Sequence, residues 1–205
     1  MTFCKSTSRL ALSAFLAIAA PLLGGCSASG DLTTFSGMID DPEPDATTLV
    51  KITALSVGPL DATTSYSTKT IEAALPGFTT QPIQMAVEDR TLWTTGVFHD
   101  GFQVLQVLKG DNGKIGEIHG VSPDVEGPNG ERLGMRFDRV GTSMSQCRVG
   151  RNLWRDMAIC PARGAPNVTL VYAVTQYDGP FDKLPPRKEL ESATIQRIVW
   201  TPPKS

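Results

Sequence analysis

The chain has 205 residues, 19 of them Lys or Arg and 21 Asp or Glu, for a formal net charge of −2. That balance gives no general reason to expect nucleic acid as a partner. The length suits a single domain able to bury roughly two-thirds of the surface its unfolded chain exposes.

Residues 1–25 read as a lipoprotein signal peptide. Lys5 and Arg9 precede an apolar run from Leu10 to Leu23, shorter than the roughly 20 residues a spanning helix needs. The run closes on Leu23-Gly24-Gly25-Cys26, which resembles the bacterial lipobox. That resemblance implies a lipid on the Cys26 thiol, cleavage before it and acylation of the new amine by a chain such as palmitate. Cleavage would leave 180 residues with 17 basic and 21 acidic side chains. No second apolar run approaches a transmembrane length, so the expectation is anchoring by lipid without spanning. Two or more acyl chains make such anchoring stable, at about 0.8 kcal/mol per buried methylene. Ser27 stands where an Asp would signal inner-membrane retention in many Gram-negative bacteria. In a Gram-negative cell this favours the outer membrane, with the domain facing the periplasm.

Residues 26–48 are expected to be an acidic tether. Asp31, Asp40, Asp41, Glu43 and Asp45 occur there without a basic residue, and Pro42 and Pro44 interrupt the run. The folded domain is expected over 49–205. Ile52 to Val57 is a candidate strand stopped by Gly58-Pro59. Ser67 or Thr68 is placed to cap a short helix carrying Ile71, Ala74 and Leu75, which Pro76-Gly77 ends. Phe78 to Val87, Leu92 to Phe98, Phe102 to Leu108 and Lys114 to Val121 read as strands, the last two separated by the turn Gly110-Asp111-Asn112-Gly113. Residues 122–134 read as loop, and Met135 to Met144 as a second helix with Phe137 and Val140 on one face. Asn167 to Thr175 alternates Val168, Leu170, Tyr172 and Val174 on one side, the pattern of a half-buried strand. A constrained Pro/Gly loop follows, around Gly179-Pro180 and Pro185-Pro186, and Thr194 to Trp200 is a closing strand. This order predicts an α+β domain with a mainly antiparallel sheet and about two short helices.

Cys4 leaves with the leader and Cys26 takes lipid, so Cys147 and Cys160 remain. In an oxidising compartment an isolated pair forms a disulfide most simply. A redox or metal role is the alternative, but the spacing is not Cys-x-x-Cys and neither His is near in sequence.

Several residues in order carry a family resemblance. They are Val107-Leu108-Lys109-Gly110-Asp111-Asn112, Ile115 and Ile118, Gly134 with Phe137, Cys147 and Cys160, Val171-Tyr172, Gly179-Pro180, Leu184-Pro185, and the ending Ile195-Gln196-Arg197-Ile198-Val199-Trp200. Together they resemble a domain-of-unknown-function family of small Gram-negative envelope lipoproteins that includes the RpoE-regulated lipoprotein, RpoE being the envelope-stress sigma factor. The likeness covers roughly residues 50–200. It implies a lipidated periplasmic α+β domain linked to envelope stress, and no catalytic residue. The chain departs from the family in its Arg-rich stretch between the cysteines and in the position of Tyr177.

Chemistry-bearing motifs are few. His99 sits at a turn and His119 near a strand end, and no His-Glu-x-x-His, Gly-x-Ser-x-Gly or Ser-x-x-Lys occurs. Lys109 to Gly113 lacks phosphate-loop and calcium-loop spacing. Asp124, Glu126 and Glu131 share one loop, where a solvated surface is the plain reading and acid/base or cation chemistry the sharper one. Trp93, Trp154 and Trp200 are too dispersed for a carbohydrate platform, and Trp200 is expected in the core. Seven arginines between 132 and 163 face only Asp138 and Asp156. Arg148, Arg151 and Arg155 are therefore candidates for a patch that grips phosphate or carboxylate, unless the arginines spread out and pair locally.

The expected function is a non-enzymatic binding or assembly-support module, anchored through Cys26, with an envelope protein or anionic envelope component as partner. No cofactor, metal or nucleic acid is expected. The alternative is a small-ligand-binding or hydrolytic domain using the 122–134 and 178–187 loops.

Overall fold

The computed structural model describes residues 47–175 and 177–204. The leader, Cys26 and the tether as far as residue 46 lie outside the described residues.

The domain opens with three two-residue strands, β1 (Val50–Lys51), β2 (Ser56–Val57) and β3 (Leu60–Asp61). The continuous strand expected over 52–57 is broken by Thr53. Its hydroxyl accepts the backbone N–H groups of Leu55 and Ser56 at 3.2 and 3.0 Å, a side-chain turn that competes with the ladder. Helix α1 (Thr68–Ala74) is capped by Ser67, whose Oγ accepts the Thr70 N–H at 3.1 Å, and it buries Ile71. Then come β4 (Phe78–Ala86), β5 (Thr91–His99), β6 (Phe102–Lys109) and β7 (Ile115–Gly120), an antiparallel meander.

Strand β8 (Val125–Glu126) lies within the expected loop and pairs in parallel with β1. The helix expected over 135–144 is only the single turn α2 (Phe137–Val140). Gly141, at φ 72°, takes the left-handed conformation that ends it, and a 3-10 turn follows at Met144–Gln146. Beyond it come β9 (Arg148–Val149), a 3-10 turn at Asn152–Trp154, β10 (Ala158–Ala162) and β11 (Ala165–Ala173). A third helix, α3 (Arg187–Glu191), opens at the end of the expected Pro/Gly loop and buries Leu190. Strand β12 (Thr194–Trp200) closes the chain.

Eight strands form one sheet in the order β4-β5-β6-β7-β12-β11-β10-β9. It consists of two meanders joined by the antiparallel β7–β12 pair, with Trp200 opposite Ile118 and Val199 opposite His119. Its outer strands differ: β4 is long but carries Pro82 at its middle, and β9 has two residues. One face packs Leu105, Val107, Ile118, Leu170, Ile198 and Trp200 against Ile71, Phe137 and Leu190 of the three helices. Fully burying each such side chain contributes roughly 1.5–3 kcal/mol. The Trp200 indole N–H donates to the Ala54 carbonyl at 3.2 Å, so this core residue leaves no unmet donor.

Cys147 and Cys160 form a disulfide with Cα atoms 4.2 Å apart. It continues the β9–β10 pairing, in which Arg148 stands opposite Ile159.

The other face of the sheet carries a smaller apolar cluster of Trp154, Ile159, Val171 and Val199. Over this face the two ends of the sheet meet. Glu88, in the β4–β5 turn, receives both terminal nitrogens of Arg148 at 2.6 and 2.7 Å. It also accepts the Arg151 N–H on its carboxylate at 2.8 Å and the Leu153 N–H on its carbonyl at 3.0 Å. Asn152 donates to Asp89 at 2.8 Å. The contacts draw the edge regions together and make this face concave.

Candidate functional site

A cavity of about 570 Å³ lies on the concave face. Its floor crosses the central strands through Leu108, Glu117, Thr169 and Val199, and Trp154, Ile159 and the 87–90 turn also line it. Beside it runs a polar chain. Arg197 donates to Nδ1 of His119 at 3.0 Å, and Nε2 of His119 bonds the Glu117 carboxylate. An acceptor at Nδ1 requires the proton on Nε2, so His119 is neutral and donates to Glu117. Burial pushes the His119 pKa down, and the Glu117 hydrogen bond opposes that shift. The Trp154 ring covers the chain, at 5.9 Å from the His119 ring and 5.4 Å from the Arg197 guanidinium. His119 is 0% exposed with both nitrogens bonded, so it cannot meet a substrate as acid or base. Glu117, with its side chain 30% exposed, does line the cavity.

The sequence held a signal for this chain that residue-type motifs passed over. Glu117-Ile118-His119 on a strand puts the carboxylate and the imidazole on one face. Arg197 reaches them only because β12 pairs with β7.

The expected arginine patch is resolved into parts. Arg148, Arg151 and Arg155 converge on a second recess, of about 890 Å³, with Phe181 and Asp182 on its other side. Arg155 lies over the Phe181 ring at 5.8 Å. Glu88 engages Arg148 directly and holds the Arg151 Nε at 3.8 Å. The Arg148 bond depresses the Glu88 pKa, against the upward push of partial burial. Two other arginines pair elsewhere. Arg132 donates to the Pro123 carbonyl at 3.1 Å, to Glu126 at 3.1 Å and to Thr48, while Arg136 pairs with Asp138 at 2.9 Å. Thr48, read from sequence as the last tether residue, thus bonds into the domain.

The 122–134 loop is knitted internally and tied to β1. Ser122 donates to Asp124 at 2.9 Å, Lys51 to Glu126 at 2.7 Å, and Asn129 to Glu131 through backbone and side chain at 2.7 and 2.8 Å. Gly127 permits this, because a Cβ there would lie 2.6 Å from a Glu131 carboxylate oxygen. The other loop, 178–187, supplies Phe181 and Asp182 to the arginine recess. His99 sits at its turn, against Phe78 at 4.9 Å between ring centres. Among the described residues no group of three or more His, Cys, Asp or Glu is placed to hold a metal ion. No helix among them is long and apolar enough to cross a membrane.

Residues 45–202 match the family described as "Protein of unknown function (DUF1131)". The chain is 22% identical over 151 residues to the uncharacterized protein YfeY of Escherichia coli K12, covering 73% of this chain and 78% of that protein. The crystal structure of YfeY from Escherichia coli superposes with a TM-score of 0.60 at 19% identity, over 74% of this chain and 99% of that one. That structural likeness bears on the fold.

Proposed function

Since the chain belongs to the DUF1131 family of proteins of unknown function, we propose that it is a lipid-anchored module of the bacterial envelope that binds a partner without catalysing a reaction. The observation that carries this reading is the convergence of Arg148, Arg151 and Arg155 with Phe181 on one recess. Guanidinium groups beside an aromatic ring suit a partner that presents carboxylate or phosphate next to planar or apolar groups. Arg155 and Arg151 are the binding groups in this reading, and Glu88 ties Arg151 to Arg148. The complete engagement of His119 supports a non-enzymatic role.

The anchor rests on Leu23-Gly24-Gly25-Cys26 and the outer-membrane placement on Ser27. Anchoring confines the domain near other envelope components and raises its effective concentration, so that weak contacts suffice. The link to envelope stress rests on the family resemblance alone; induction of the transcript by the envelope-stress sigma factor is its test.

A second reading, in which the same recess takes a small anionic ligand, is favoured by the Phe181 ring, which the 178–187 loop sets beside the arginines. One experiment separates the two. The protein is cross-linked in intact cells beside Cys26→Ala and Arg151→Glu/Arg155→Glu variants, and its adducts are identified by mass spectrometry. A protein adduct weakened in both variants is the expected result. An adduct indifferent to the charge reversal would overturn the arginine recess as its seat. Loss of labelled palmitate from Cys26→Ala alone tests the anchor.

A further inference from the structure

We infer that the cavity on the concave face binds a small ligand carrying an ammonium group on an apolar body. The inference does not rest on the anchor, nor on what binds the arginine recess, with which this cavity shares Arg148. At about 570 Å³ the cavity falls within the roughly 300–1,000 Å³ of ordinary ligand sites. Leu108, Val199, Ile159 and Trp154 give it apolar walls. Three carboxylates and two guanidinium groups line it: Arg148 engages Glu88, Asn152 bonds Asp89, and Arg90 lies exposed in the 87–90 turn.

Glu117 differs from these. His119 bonds one of its oxygens, and the side chain remains 30% exposed on the cavity floor. Arg197 stands across the imidazole from Glu117, bonded to His119 and under Trp154, and offsets part of the carboxylate charge. His119 is neutral, so it fixes the carboxylate without cancelling its charge. A fixed carboxylate between apolar walls attracts a cation more strongly than one in open water, where solvent screens it. A neutral apolar ligand gives that carboxylate nothing for the desolvation it imposes.

The test titrates the purified full chain with two fluorescent probes of one shape. Dansylcadaverine ends in an ammonium; N-hexyl dansylamide ends in a methyl group. The ammonium probe is expected to bind roughly tenfold more tightly, the effect of one charge-assisted hydrogen bond. Glu117→Gln keeps an oxygen for the His119 N–H and is expected to abolish that preference. Val87→Trp, in the cavity lining, is expected to weaken both probes, with thermal melting confirming that each variant folds. Equal affinity for the two probes, a preference that survives Glu117→Gln, or no binding of either probe would overturn the assignment.

Discussion

At the scale of single residues, His119 makes the acid stability of the domain predictable. Burial lowers its pKa from an ordinary 6.5, so below about pH 6.5 the unfolded chain takes up a proton that the folded one resists. The stability His119 contributes is therefore complete above that pH and is lost as pH falls toward the folded-state pKa. Glu88 and Glu126 are lowered too, by the hydrogen bonds of Arg148 and Lys51 respectively. Their ordinary value is 4.5, so their contributions are lost only at more acid pH. Urea unfolding at pH 7.5 and 5.5 should show a loss in the wild type that His119→Gln reduces. The variant should itself be less stable at pH 7.5 by about 1–3 kcal/mol, because a buried polar chain loses a member. An undiminished pH dependence in the variant would assign the effect to another group.

At the scale of elements, β9 depends on its fastenings. It has two residues, held by the disulfide on one side and by Glu88 on the other. Replacing both Cys147 and Cys160 by Ser should lower unfolding free energy by about 3 kcal/mol, the chain-entropy value for a short loop. Chemical denaturation with and without reductant measures it, and the variant should no longer respond to reductant. Glu88→Gln should cost about 1 kcal/mol or less, since Arg148 is half exposed. It should nevertheless speed hydrogen exchange at the amides of Arg151 and Leu153, which bond to Glu88. Protection unchanged at both amides would show that the sheet ends hold together without that carboxylate.

These same elements mark how far the sequence could be read. Helix α1 and strands β4 to β7, β11 and β12 carry their own signals: Ser67 as a cap, alternating apolar residues, and glycine turns such as Gly110 to Gly113. Strand β10 does not, because Pro161 interrupts its pattern and its apolar residues pack toward both faces. Helix α2 is shorter than the apolar spacing suggests, because Gly141 takes the left-handed conformation just past Val140. The clustering of Arg148, Arg151 and Arg155 was legible as local density, but Glu88, the partner of Arg148 and Arg151, lies 60 or more residues away. Only the meeting of the sheet's two ends brings it there.

At the scale of the whole molecule, the first described segment and the last strand depend on each other. The Ala54 carbonyl accepts from both the Trp200 indole and the Asn167 amide, at 3.2 and 2.8 Å. Closing the core therefore requires residues far apart in the chain, as does the β7–β12 pair that joins the meanders. Pairings this distant favour slow folding. They also leave β4 and β9 as the open edges of the eight-stranded sheet. An unpaired edge is a template on which a neighbouring molecule can add its own strand. Pro82 takes one donor out of β4, and β9 is too short to serve as a rail. The fold thus limits its own polymerisation, which matters most where many copies are crowded together. Pro82→Thr should raise self-association in sedimentation velocity over the wild type at equal concentration, and identical profiles would place the safeguard elsewhere.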